Sequence, residues 1–140
     1  MMADAKALVR AMLDAMNRRA LGELDALLTE DFTRYCEATP EPVMRGLDAY
    51  KAFLQADAAA FPDNVQTLVH CLADGDEVAM YVTYEGTHQG PLGPMPATGK
   101  PVKFDFAGVG TLRDGKLADL RLTWDNMTIL RQLGLLPKGF

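Results

Sequence analysis

The chain is poor in the residues that build metal and redox sites. It has two cysteines, two histidines and one tryptophan in 140 residues. Cys36 and Cys71 lie far apart and form no CxxC pair, so neither a zinc site nor a dithiol is expected, and both read as reduced core thiols. Positive charge is also scarce. Fourteen Lys and Arg face nineteen Asp and Glu, a net charge of -5, which argues against a nucleic-acid or anionic-membrane surface. No apolar run is long enough to span a bilayer. The opening MMADAKALVRAML lacks a basic segment followed by an apolar one, so no secretory signal is expected and the location reads as cytoplasmic. Repeats, low-complexity tracts and linkers are missing too.

What remains is the composition of a folded protein, 49% hydrophobic and 24% charged. One domain over residues 1–140 is expected. Leu8, Val9, Met12, Leu13 and Met16 recur at helical spacing and predict a helix over residues 4–20, ended by Gly22. GELDALL predicts a short second helix. DFTRYCEA, residues 31–38, reads as a strand closed by the turn TPEP. A helix over 47–61 carries Leu47, Tyr50, Phe53, Leu54 and Phe61 on one side and stops at Pro62.

From residue 64 to 124 the pattern is antiparallel sheet. In EVAMYVTYEGTH, Val78, Met80, Val82, Tyr84 and His88 share one face. A Pro/Gly-rich loop, QGPLGPMPATGKP, separates it from VKFDFAGVGTL, and LADLRLTW follows. DNMTILRQL then reads as a terminal helix stopped at Gly134. Two or three helices before a curved sheet indicate an α+β fold, a cone with helices on the concave face.

The last hairpin turns at LRDGKL. A two-residue Asp-Gly loop pairs Phe106 with Thr123 and mixes apolar and charged residues on each face. A three-residue Arg-Asp-Gly loop pairs Phe104 with Trp124, Phe106 with Leu122 and Gly108 with Leu120, leaving one apolar face, and is the expected register. Gly108 and Gly110 then stand on that face without side chains. They either open space for a ligand or permit the sheet to bend. Trp124, Phe104, Phe106, Leu120, Leu122, Met80, Val82 and Tyr84 are the expected apolar wall around them.

Several stretches carry a family likeness. GTHQGPLGPMPATGKPV resembles the GTH-x-G…PPTG-[KR] region of the SnoaL-like polyketide cyclases and ester cyclases. DGKL followed by WDNMTILRQLG resembles their C-terminal DGKI…D…L-x-QLG signature, and FPD before the first long strand fits as well. The resemblance implies the cone-shaped α+β barrel shared with nuclear transport factor two and ketosteroid isomerase. It implies ring closure by an aldol step without metal or cofactor, and a homo-oligomer, dimer or tetramer, packed through the outer sheet face. It also implies a catalytic aspartate three residues before Asp125 and a histidine on the preceding strand. Those positions hold Leu122 and Gly108 here, and leucine cannot move a proton.

Other groups must therefore carry any chemistry. His88, at a strand end beside the Pro/Gly loop, is a candidate general base or a structural corner bonded to that loop. Asp125 is a candidate catalytic carboxylate or the N-cap of the last helix. Of Arg34 and Tyr35, alternation turns one inward, and Tyr35 is the easier to bury and a candidate hydroxyl. His70 reads as surface. Asp105 and Arg121 fall on the outer face, which discounts an Asp-Arg-Asp epoxide-hydrolysing cluster. The expected ligand is a small apolar molecule, cyclic or aromatic. The expected activity is acid/base chemistry on a carbonyl compound, with a non-catalytic binding domain as the alternative.

Overall fold

A computed structural model describes residues 4–139; residues 1–3 and 140, part of the expected domain, lie outside it. Helix α1 spans Ala5–Asn17, capped by Asp4, whose carboxylate accepts from the Lys6 and Ala7 amides. It ends before Gly22 rather than at it, because Arg19 turns the chain in a left-handed conformation at φ 61°. The expected short helix is a 3-10 turn, Leu21–Ala26. Strand β1, Leu28–Tyr35, lies a few residues earlier than expected. TPEP belongs to a hairpin turn into a three-residue strand that the sequence did not announce, β2, Val43–Arg45. Helix α2 runs Leu47–Ala60, with Pro62 just beyond.

Strands β3 (Val65–Asp74), β4 (Glu77–Thr87), β5 (Pro101–Arg113) and β6 (Lys116–Thr123) form an antiparallel meander. Strand β1 joins it parallel to β6, giving one mixed sheet of order β2-β1-β6-β5-β4-β3. Helix α1 packs against β3 and α2 against β1, so the sheet's concave face is closed by helices. This is the α+β cone expected. Helix α3, Asn126–Leu133, packs on β5 and ends in a left-handed Gly134 at φ 72°.

The β5–β6 hairpin corrects the expected register. Its loop has two residues, Asp114 at φ 52° and Gly115 at φ 79°, the left-handed pair of a type I′ turn. Arg113 pairs with Lys116 and Leu112 with Leu117, and a bulge then moves the ladder so that Thr111 meets Asp119. Gly110 faces Leu120 and Gly108 faces Leu122, where the three-residue loop gave Gly108 to Leu120. The apolar face survives because the bulge restores the parity that the tight turn removes.

The glycines are filled from the neighbouring strand. A Cβ on Gly108 would stand 2.6 Å from the Leu122 Cδ2, and one on Gly110 would stand 2.7 Å from the Leu117 Cδ1 and 2.9 Å from the Asp119 carbonyl oxygen. Cross-strand leucines therefore occupy the space beside both glycines, which removes the first of the two readings, room for a ligand, and leaves the bend. Gly108→Ala presses chiefly on the flexible end of Leu122, with the Arg121 carbonyl oxygen farther off at 3.3 Å, and is expected to change stability by less than about 1 kcal/mol. Gly110→Ala presses on backbone and should cost about 1–3 kcal/mol. Urea unfolding of both variants checks the order, and equal costs would contradict this packing.

Candidate functional site

Between the helices and the concave face lies a cavity of ≈ 80 Å³. At ~10–15 Å³ of such space per water it holds roughly six waters, about 180 Å³ of liquid, the room of one substituted ring. Its sheet wall is largely the one expected: Met80, Tyr84, Phe104, Phe106, Leu120, Leu122 and Trp124 all line it. Val82 and Gly108 do not. Val82 is wholly enclosed in the core, and Gly108 lies beneath Leu122. Tyr84 stacks on Phe104 at 4.9 Å, and Trp124 stands 6.5 Å from Phe106 in an edge-on arrangement. The Trp124 indole N–H donates to Asn126 Oδ1 (2.8 Å), and Asn126 Nδ2 donates to the Ala38 carbonyl (2.6 Å). The first residue of α3 thus fixes the tryptophan against the β1–β2 turn.

The helix side contributes Met12, Met16, Tyr50, Phe53 and Leu54, and one carboxylate, Asp57. The sequence reading passed over Asp57. Tyr84 donates its hydroxyl to the Asp57 Oδ2 at 2.8 Å. Burial pushes the carboxyl up to about 6, against the opposing pull of the Tyr84 hydrogen bond and the charge of Arg19. Burial and the adjacent carboxylate hold the Tyr84 hydroxyl well above the usual tyrosine range, so Tyr84 stays a donor. An outer groove, lined by Arg19 and Pro62, meets the cavity at Met16, Leu54, Asp57 and Gln66. Asp57 therefore stands where solvent reaches the apolar interior.

The three groups expected to do chemistry are elsewhere. Tyr35 faces out of the cone, half-buried, with the Arg121 guanidinium 4.2 Å over its ring. Its inward neighbour is Arg34, fully buried, because Phe32 commits the even residues of β1 to the core. His88 is fully buried but does not line the cavity. Its Nδ1 accepts from the Thr98 amide (3.2 Å) and hydroxyl (3.0 Å), and its ring stacks on Phe61 at 5.4 Å. The imidazole is the corner post of the Pro/Gly loop. Asp125 is exposed and caps α3, accepting from the Met127 amide (2.9 Å) and the Thr128 hydroxyl (3.0 Å). His70 is on the surface, and Asp105 faces outward, bonded to Tyr81 and Thr83. Among the described residues no cluster of three His, Cys, Asp or Glu is placed to hold a metal ion, and no helix is long and apolar enough to cross a membrane.

Comparison with known proteins adds a family. The family model described as SnoaL-like polyketide cyclase matches residues 6–133. TsrD from Streptomyces laurentii superposes with a TM-score of 0.83 at 26% identity, over 94% of this chain and 95% of that one. IdmH from Streptomyces antibioticus, provisionally assigned as a polyketide cyclase, gives 0.81 at 26%, over 92% and 97%. AclR from Streptomyces galilaeus, provisionally assigned as a hydroxylase, gives 0.80 at 26%, over 94% and 96%. No curated protein matches the sequence significantly.

Two outcomes are expected from these placements. Asp57 has a folded value near 6 against an ordinary 3.8, so its contribution to stability is complete below about 3.8 and is lost as pH rises through 6. The loss is up to about 3 kcal/mol. Urea unfolding from pH 4 to 8 should show that fall in wild type and its removal in Asp57→Asn; parallel profiles would contradict it. Asp125→Ala should cost on the order of 1 kcal/mol, the ordinary worth of a cap. Loss of ligand binding or turnover in that variant at unchanged melting temperature would contradict the cap role.

Proposed function

The chain belongs to the SnoaL-like polyketide cyclase family, and from that membership we propose that it binds a small apolar molecule, cyclic or aromatic, in the cone and catalyses acid/base chemistry beside a carbonyl group. The observation that carries this reading is a carboxylate, Asp57, standing in an otherwise apolar and aromatic cavity with a hydroxyl donor at 2.8 Å. A general base works best when its own proton affinity lies near the working pH, and a value about 6 meets that requirement. In the reaction, a C–H bond next to the substrate carbonyl breaks. The proton goes to the free oxygen of Asp57, and the electron pair becomes an enolate. The enolate then takes a proton at another carbon, an isomerisation, or attacks a second carbonyl, a ring closure. Tyr84 holds the carboxylate in one orientation throughout. Side chains alone supply this chemistry, in keeping with what the family resemblance implies.

A second reading, a binding domain without turnover, is favoured by Leu122 packed over Gly108. In the resemblance those two positions carry the aspartate and histidine, and they are directly paired across β5 and β6. The uncovered outer face, with Leu72 at 70% exposure and Tyr81 and Val109 also exposed, supports the expected homo-oligomer. A cytoplasmic location fits the same reading.

Solvent-deuterium exchange into 2-tetralone, a bicyclic ketone with acidic α-hydrogens, separates the two readings. Wild type should accelerate exchange over buffer, with the rate rising through about pH 6 and level above it. Asp57→Asn should lower the enzymatic rate by about 10²–10⁴-fold with binding retained. Exchange that ignores the substitution would overturn the assignment, and binding without exchange would select the non-catalytic reading.

A further inference from the structure

Arg34 is the largest side chain buried completely in this fold. A guanidinium has five N–H donors and remains charged at any pH a protein survives. Here Nη2 donates to the Thr39 hydroxyl at 2.9 Å, while Nε and Nη1 have no hydrogen-bond partner. None of the ion pairs among the described residues includes Arg34. The charge is met by one hydroxyl and by the face of Phe53, 4.7 Å from the guanidinium carbon. Buried charges are ordinarily paired, and unpaired ones are strongly disfavoured. The three N–H groups of Nε and Nη1 therefore await an acceptor.

Arg34 does not line the cavity itself, but the residues around it do. Arg34 pairs with Leu120 across β1 and β6, and Leu120 lines the cavity. Phe53, which covers the guanidinium, lines it too, and is only partly buried, so its ring can yield. Tyr50, a third lining residue, has its hydroxyl pushed up chiefly by burial, and it also feels both charges: Arg34 pulls it down and Asp57 pushes it up. Arg34 thus sets a positive charge behind Phe53 on the β1 side of the chamber, and Asp57 lines the chamber from α2. A neutral hydrocarbon would use neither end.

Resting on the cavity reading above, we propose that Arg34 anchors a carboxylate on the molecule that occupies the cone. The ligand is then a monoanion with an apolar ring, its carboxylate on Nε and Nη1 and its acidic hydrogen directed at Asp57. The net charge of -5 does not oppose this, because Arg19 stands in the groove that leads in. The two fixed charges set the direction in which the ligand enters and stops.

The test compares sodium benzoate with benzamide, of nearly equal shape, titrated into the full chain at pH 7.5. A fragment of this size binds with a Kd on the order of 1 mM even in a matched site. Wild type should prefer benzoate by roughly 10- to 100-fold, the worth of a charge-assisted hydrogen bond. Arg34→Met should abolish the preference, whereas Asp57→Asn should keep or enlarge it. In ¹⁵N-labelled wild type, benzoate and not benzamide should shift the Arg34 Nε–H resonance, a readout independent of whether Arg34→Met folds. Equal affinities, or benzoate binding that leaves that resonance still, would overturn the anchor while leaving the cavity reading intact. Binding of neither probe would overturn both.

Discussion

One hydrogen bond, from the Tyr84 hydroxyl to the Asp57 carboxylate, spans the space between helix α2 and strand β4 and fixes the open end of the cone. Both residues are committed to the interior by their own elements. Tyr84 is an even residue of a strand whose even residues face inward. Asp57 follows Tyr50, Phe53 and Leu54 at intervals of seven, four and three, the spacing of one helix face. The carboxylate cannot leave that face without unwinding α2, and its one buried partner is a donor that cannot ionise. The apolar wall then raises its proton affinity. The fold thus makes a base from an ordinary aspartate by placing it among methionines and aromatic rings.

The buried charge behind Phe53 follows from the same kind of commitment. Strand β1 turns Phe32 inward, and alternation takes Arg34 with it. The cone then holds two charges of opposite sign that do not pair with each other. In a well-packed core such groups would be replaced by hydrophobic residues or joined. Phe53 covers the guanidinium and lines the apolar chamber that Asp57 also lines.

Much of the architecture was legible in the chain. Helical spacing gave α1, α2 and α3, and alternation gave β4 and β5 with the right residues inward. Seven of the nine expected wall residues line the cavity. The failures have particular causes. Tyr35 was preferred over Arg34 because burying a guanidinium is costly, yet the parity of Phe32 outweighs that cost. Asp57 was readable as a charge on an apolar helix face, but a lone carboxylate near a helix end has the same pattern as a solvated one. The register slipped because a bulge after the turn restores the same parity as a longer loop, and alternation cannot tell them apart. His88 and Asp125 have the side chains of catalysts and the surroundings of a corner post and a cap, which only the three-dimensional neighbours reveal.

Leu122 and Gly108 show how such a cone can be rebuilt. A large residue on β6 lies over a missing one on β5, so the pair fills its space and neither position carries an ionisable group. On the proposed reading the chemistry is carried from across the cavity, by Asp57 on α2. The most direct measurement of that claim is a ¹³C NMR titration of the carboxyl carbons in the wild-type protein. The Asp57 resonance should titrate at about 6, apart from the exposed carboxylates. A midpoint at the ordinary 3.8 would mean that the carboxylate is solvated and that the cavity holds no base tuned to neutral pH.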